Sequence, residues 1–304
     1  MTSAINGSTD VYLILGDPVE QVRAPESFNL IFAAQGLNAV LVPVHVPAAA
    51  VKDFVRAAFS ARNIKGLFLT IPHKSLVMDM LDDCSELGHL AGAVNAVRCD
   101  ADGRLVGALF DGEGLVDSLN GFNIRYTGQR VLLLGAGGGA AAIAASLVSP
   151  ASRVSKGAAG EVALYDPTPG KAQALADRLG AAGPVRVYAV DSPDPAGFDL
   201  VVNASPLGLQ LSDPMPCDVS RMAPHAALVD ILMKNQPSPV VRAARGRGLV
   251  AHPGFEMMIR QAPLYLDFFG LHEAAQAVQR DARFIRQQMY PAELQSEILF
   301  LTTP

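Results

Sequence analysis

Short apolar runs alternate with amphipathic stretches along most of the chain. Val11 to Gly16 has the run of apolar side chains expected of a sheet strand, the segment after Pro25 reads as a helix, and Ala39 to Val46 reads as a second strand. After Pro47, apolar residues at Val51, Phe54, Val55, Ala58 and Phe59 recur at helical spacing, and Lys65 to Ile71 predicts another strand. Gly92 to Val97 predicts a buried strand with one polar residue, Asn95. From about residue 112 the alternation resumes, with strands expected over 130–134, 161–165, 186–190, 199–203, 226–231 and 248–251. Helices are expected over 138–148, 169–180 and 237–247. After Gly254, and over 271–289, only helices are expected. Alternating strands and helices build parallel sheets covered by helices, so the fold class expected is α/β. The division expected is a discontinuous first domain, 1–111 with 255–304, and a second domain over 112–254.

The second domain is organised around Val131 to Ile143, a buried strand that runs into a glycine turn and then a small-residue helix. Gly135, Gly137 and Ala140 give the spacing G-x-G-x-x-A. Gly135 permits a tight turn, Gly137 removes a side chain where a pyrophosphate must approach backbone, and Ala140 lets the helix pack close. The N–H groups at the helix start are then left for an anion, which makes Gly135, Ala136, Gly137, Gly138 and Gly139 candidate dinucleotide contacts. A glycine pattern alone arises easily by chance. The strand before it, the helix after it and a second strand ending at Asp166 raise its weight.

Composition narrows the class further. The chain has 304 residues, half of them hydrophobic, which suffices for two cores. Its net charge of −5 argues against nucleic acid and anionic membrane surfaces. Neither a leader peptide nor a membrane span is expected, and Cys84, Cys99 and Cys217 have no metal-ligand spacing, so reduced thiols in a cytoplasmic protein are expected.

Four polar positions carry candidate chemistry. Lys74, in Thr70-Ile71-Pro72-His73-Lys74, follows the end of a strand, where open α/β sheets place working residues. On its own it is more commonly a solvated helix start. His73 reads as a partly exposed packing residue. Asn95 in its apolar strand must find hydrogen-bond partners or a ligand. Asp111 lies where a strand gives way to a helix, an ordinary helix cap by itself.

Taken together, the residues resemble the shikimate dehydrogenase family. The matching segments, in order, are Gly16-Asp17-Pro18, Thr70 to Lys74, Gly92-Ala93-Val94-Asn95, Gly107 with Asp111-Gly112, and Gly135-Ala136-Gly137-Gly138. Val202-Asn203-Ala204-Ser205-Pro206 with Gly208, then Asp230, then Gly254 with Met257, Met258 and Gln261 complete the set. The resemblance implies a substrate domain joined to a Rossmann domain, with Lys74 and Asp111 as the catalytic pair and no metal. Thr70, Asn95 and Gln261 would hold ring hydroxyls. Gly254 would lie beside the nicotinamide, with further cofactor contacts at Asn203, Ala204, Ser205, Ile231 and Met233.

The sequence departs from the family at several of these places. The Ser-x-Ser pair that grips the substrate carboxylate is Val22-Arg23-Ala24, so Arg23 is the one candidate anchor there. Phe68, Leu109, Phe110 and Met233 also replace polar family residues, and all four changes point to a more apolar site. The family's Asn-Arg-Thr at the end of the second Rossmann strand is Asp166-Pro167-Thr168. An Asp there can accept both ribose hydroxyls of NAD and would repel a 2′-phosphate, so NAD is expected in preference to NADP. The function expected is reversible oxidation of a ring alcohol of shikimate or a related cyclic hydroxy acid such as quinate or aminoshikimate, by a monomer or homodimer. A ligand-binding or regulatory homologue with weak chemistry is the alternative from another class.

Overall fold

The computed structural model describes residues 5–181 and 183–301; the outermost residues of the expected first domain, 1–4 and 302–304, lie outside it. The chain divides into two compact units. One comprises the residues up to Phe110 together with Ile259–Met289, and the other comprises Asp111–Met258 and the residues from Tyr290 onward. The sequence expectation had kept all of 255–304 with the first domain. Tyr290 packs on Phe255, while Glu293 and Glu297 pair with Arg242 and Arg245, all within the second unit.

The first unit holds a six-stranded sheet in the order β2-β1-β3-β5-β6-β4. Its strands are β1 (Asp10–Gly16), β2 (Ala39–His45), β3 (Ile64–Leu69), β4 (Asp83–Cys84), β5 (Ala96–Cys99) and β6 (Leu105–Ala108). Strands β2, β1 and β3 are parallel, whereas β5 runs antiparallel to both β3 and β6. Helices α1 (Ala24–Ala34) and α2 (Val51–Ala58) make the first crossovers, followed by the short α3 (His73–Leu76) and α4 (Glu86–Ala91). Pro43 sits inside β2 without breaking the ladder because β2 is an edge strand with one side unpaired. One core is aliphatic, built from Leu13, Leu15, Val51, Val55, Leu67 and Val97. The other is aromatic, with Phe28, Phe68 and Tyr265 at its centre.

The sequence placed a strand from Gly92; the strand begins at Ala96 instead. Gly92 adopts the left-handed conformation (φ 64°) and caps α4, so the chain is still leaving a helix there, and its first bonds to the flanking strands are made by Asn95, to Leu69 and Ala108.

The second unit holds a six-stranded parallel sheet in the order β12-β11-β10-β7-β8-β9. These strands are β7 (Arg130–Leu134), β8 (Glu161–Tyr165), β9 (Arg186–Ala189), β10 (Leu200–Asn203), β11 (Ala227–Asp230) and β12 (Val250–Pro253). Helices α5 (Asp111–Gly121), α6 (Gly138–Val148), α7 (Lys171–Gly180) and α8 (Pro239–Gly246) belong to this unit. Helix α9 (Phe255–Phe268) crosses the unit boundary after Met258, and α10 (His272–Arg280) and α11 (Arg283–Met289) follow in the first unit. Leu132, Leu133, Val162, Ala163, Val201 and Leu228 are all fully buried, as parallel strands covered on both faces require. The strand order reverses between β7 and β10. In such sheets ligands bind off the carboxyl ends of the strands at that switch point.

His252 of β12 lies flat on Phe122, with ring centroids 3.7 Å apart and planes at 11°. Its Nδ1 is buried without a hydrogen bond, the nearest carboxylate oxygen, of Glu297, being 3.9 Å away. Burial, with the Arg245 guanidinium as a lesser cause, pushes its pKa down to about 4. A histidine whose folded pKa lies below its unfolded value of about 6.5 destabilises the fold as pH falls through that interval, by about 3 kcal/mol in total. The urea midpoint is therefore expected to drop more steeply between pH 6.5 and 4 in the unmodified protein than in His252→Phe, which keeps the stack. Equal slopes would contradict this account of His252.

Among the described residues no helix is long and apolar enough to cross a membrane, and no group of three or more His, Cys, Asp or Glu side chains is placed to hold a metal.

Candidate active site

Strand β7 ends at Leu134, and the chain then turns through Gly135 at φ 114°, a conformation L side chains rarely adopt. A Cβ there would lie 2.7 Å from the Ala204 carbonyl oxygen. The Gly135 N–H donates to the Tyr165 carbonyl of β8 at 2.6 Å, which pins the turn between strands. Around Gly137 the opposite holds: a Cβ would meet nothing within 4 Å. That open face lies at the start of α6, whose N-cap, Gly137, supplies no side-chain oxygen to the helix amides. The N–H groups of Gly138, Gly139 and Ala140 have no intrahelical acceptor by helix geometry, and with the helix dipole they suit a pyrophosphate. The structure thus fits a dinucleotide at the G-x-G turn.

Several of the remaining candidates on this side border the same turn. Asn203 and Asp230 face each other at the carboxyl ends of β10 and β11. Ala204 donates its N–H to the Leu134 carbonyl at 2.8 Å. Ser205 donates its hydroxyl to Asn203 Oδ1 at 2.6 Å. Ile231 Cδ1 comes within 3.4 Å of where a Gly139 Cβ would stand. A Cβ on Gly254 would collide with the Ile231 carbonyl, so the exits of β11 and β12 approach closely only because residue 254 has no side chain. Met233 is half-buried in the loop after β11.

Asp166 departs from its expected role. Its Oδ2 accepts the Ala136 N–H at 2.9 Å and its Oδ1 accepts the Thr168 N–H at 3.0 Å. Lys171 Nζ lies 3.2 Å from Oδ2, and the Asp166 side chain is only 7% exposed. Burial raises its pKa, but the two N–H groups and Lys171 outweigh burial and hold the carboxyl below its ordinary value. The carboxylate is occupied in shaping the turn, and the lysine covers its charge.

In the first unit, Thr70 follows β3, donates its N–H to the Leu15 carbonyl at 3.0 Å and accepts the His73 N–H at 2.8 Å. That turn starts α3, which carries a half-buried Lys74. The Lys74 carbonyl accepts the Val94 N–H at 2.9 Å, tying α3 to the segment before Asn95. Asn95 is completely buried. Its Nδ2 donates to Gln261 Oε1 of α9 at 3.3 Å, its Oδ1 accepts the Phe110 N–H at 3.0 Å, and its carbonyl accepts the Tyr265 hydroxyl at 3.2 Å. Asn95 therefore holds the backbone one residue before Asp111. Asp111 itself is buried and opens α5 in the second unit.

His73 is completely buried, not partly exposed as its sequence position suggested. Burial pushes its pKa down, favouring a neutral ring, against the smaller opposing effect of the Val46 and Gly16 backbone and of Asp17.

At the position of the missing hydroxyl pair, Val22 and Ala24 flank Arg23, the N-cap of α1. The Arg23 guanidinium pairs with Glu26 at 2.8 Å and lies 3.8 Å from the Met289 sulfur. Three of the apolar departures change the core, contrary to expectation. Phe68 stacks on Tyr265 at 4.4 Å, Phe110 meets Tyr265 edge-on at 4.9 Å, and Leu109 is 2% exposed. The Phe68 and Phe110 rings fill the aromatic core of the first unit.

Sequence reasoning also missed Gln236 and Ser238, which donate to Asp230 from the loop after β11. The available signal was a carboxylate ending the otherwise apolar strand Ala227–Asp230.

Comparison with known proteins places these features in a family. Residues 14–97 match the shikimate dehydrogenase substrate binding domain. A shikimate dehydrogenase (NADP(+)) from Rubrobacter xylanophilus is 35% identical over 261 residues, which span 84% of this chain and 89% of the relative. One from Alkalilimnicola ehrlichii is 33% identical over 257 residues, spanning 84% and 91%. Among solved structures, shikimate 5-dehydrogenase from Thermus thermophilus in complex with NADP(H) and shikimate superposes with a TM-score of 0.73 at 27% identity. That likeness covers 89% of this chain and 100% of the other. Both sequence relatives are named as NADP(+) enzymes, which overturns the NAD preference expected from Asp166. The physical reason is the engagement of that carboxylate with Ala136, Thr168 and Lys171.

Proposed function

The chain belongs to the shikimate dehydrogenase family, and on that premise we propose that it is an NADP-dependent oxidoreductase that converts a ring secondary alcohol of shikimate to the ketone and back. The observation that carries this reading is the G-x-G turn, with Gly137 facing open space at an uncapped helix start. When bound, NADP+ supplies the hydride acceptor. This chain's own residues bind, orient and move the proton. Lys74 takes the hydroxyl proton as the hydride leaves carbon and returns it in reverse, and Asp111 is the second member of the acid–base pair. Thr70, Asn95 and Gln261 hold ring hydroxyls. Gly254, Ile231 and Met233 border the nicotinamide. The same reading has the protein act on a small molecule in the cytoplasm as a monomer or homodimer.

Lys171 supports the cofactor assignment. It stands at the start of α7 with its charge beside Asp166, so a 2′-phosphate meets a cation there instead of a bare carboxylate. A lost hydrogen bond to a charged group costs about 1.5–3 kcal/mol, so Lys171→Ala is expected to lower kcat/KM for NADP+ by roughly 10–100-fold. An unchanged value would remove Lys171 from the cofactor site.

Val22 and Ala24 offer no hydroxyl, and the Arg23 guanidinium is held by Glu26. Shikimate, quinate and aminoshikimate all carry a carboxylate, so this change does not rank them, and quinate or aminoshikimate stands as the alternative to shikimate. Relative kcat/KM across the three substrates decides between them.

A further inference from the structure

Asp230 ends β11 and is completely buried, yet it has no part in the proton transfer. Its carboxylate is surrounded by donors from two different loops. Asn203 Nδ2, at the end of β10, donates to Oδ1 at 3.0 Å, and the Leu232 N–H reaches the same oxygen at 3.2 Å. Gln236 Nε2 donates to Oδ2 at 3.2 Å, and the Ser238 hydroxyl donates to Oδ2 as well.

The donors are themselves tied into the loops they come from. Asn203 Nδ2 also donates to the Leu207 carbonyl at 3.0 Å, and its Oδ1 accepts both the N–H and the hydroxyl of Ser205. Gln236 donates to the Leu232 carbonyl at 2.7 Å and accepts the Ser238 N–H at 2.9 Å. One carboxylate thus joins the loop leaving β10, residues 203–207, to the loop leaving β11, residues 231–238. Both loops abut the glycine turn: Ala204 against Gly135, and Ile231 against Gly139.

We propose that Asp230 is a positioning residue for the dinucleotide: it locks the β10 and β11 exit loops together and so sets Asn203 to Ser205 and Ile231 to Met233 around the G-x-G turn. The inference rests on the reading of this unit as the NADP site and deepens it. A buried, fully hydrogen-bonded carboxylate suits such a joint. Each donor is aimed at a fixed point, and removing the acceptor leaves several buried donors unsatisfied at once. A merely structural network would lower stability alone. A positioning network weakens cofactor binding selectively, while substrate recognition by Asn95 and Gln261 in the first unit is left as it was.

The test is Asp230→Asn, which keeps the shape but sets an NH2 donor against donors where one acceptor oxygen stood. NADP+ binding to the purified protein by calorimetry, thermal unfolding and steady-state kinetics are read together. With charge-assisted hydrogen bonds lost, the Kd and KM for NADP+ are expected to rise by about tenfold or more, with the KM for shikimate and kcat at saturating cofactor within about twofold. Ser238→Ala removes one donor and keeps the carboxylate; it is expected to weaken NADP+ binding by about threefold, and it provides the measurement if Asp230→Asn fails to fold. Unchanged NADP+ affinity in either folded variant, or a change in thermal stability alone, overturns the proposal. If the unmodified protein binds no NADP+ in the same titration, the underlying reading falls and this inference with it.

Discussion

Lys74→Ala is expected to lower kcat by roughly 10²–10⁴, the contribution typical of a positioned acid–base group, and to leave NADP+ affinity nearly unchanged. The main chain around Lys74 is held independently of its side chain. Val94 donates to the Lys74 carbonyl, and the turn before it is closed by His73 donating to Thr70. Truncation should therefore remove the ammonium and leave α3 where it is, so the loss reports chemistry and not local unfolding. Lys74→Arg is not a rescue, because a guanidinium does not give up its proton in a protein. Substrate turnover within threefold of the unmodified protein would remove Lys74 from the acid–base role.

The second large effect is steric. Gly112→Ala is expected to destabilise the second unit by about 1–3 kcal/mol, the range found when atoms are forced into a packed core. Gly112 lies in the first turn of α5, where a Cβ would collide with the Ala142 carbonyl of α6 and crowd the Ser146 hydroxyl. A backbone carbonyl inside a helix cannot rotate aside, so α5 and α6 must separate. Helix α6 begins at the glycine turn and α5 begins with Asp111, so the same change disturbs both the proposed cofactor cradle and one member of the proposed catalytic pair. The urea midpoint and kcat should fall together. A midpoint equal to that of the unmodified protein would show that the contact relaxes without cost.

These glycines illustrate what a sequence reveals. Gly135 and Gly137 were legible as a tight glycine turn because their requirement is local: one takes a left-handed backbone, and the other has an open face. The alternation of strands was legible for the same reason, since periodicity acts over a few residues. Asn95 showed only that it needed partners. Gln261, which supplies one, is 166 residues away, and no local pattern joins the two. Asp166 was misread because its position suits a ribose contact, while the groups that engage it, the Ala136 N–H and the Lys171 ammonium, are brought to it only by the fold. Phe68, Leu109 and Phe110 were correctly seen as apolar but taken for a changed site, because nothing in the chain indicates that Tyr265 stacks on Phe68. Asp230 was matched as a family residue without a role, since its four donors come from two stretches of sequence, Asn203 and the loop from Leu232 to Ser238, that only the fold brings around it.

The most direct test of the central claim is initial-rate kinetics of the unmodified protein with shikimate and either NADP+ or NAD+. The account expects saturable reduction of NADP+ that depends on shikimate, with kcat/KM for NADP+ above that for NAD+. No shikimate-dependent reduction of NADP+, or a higher kcat/KM with NAD+, would contradict it.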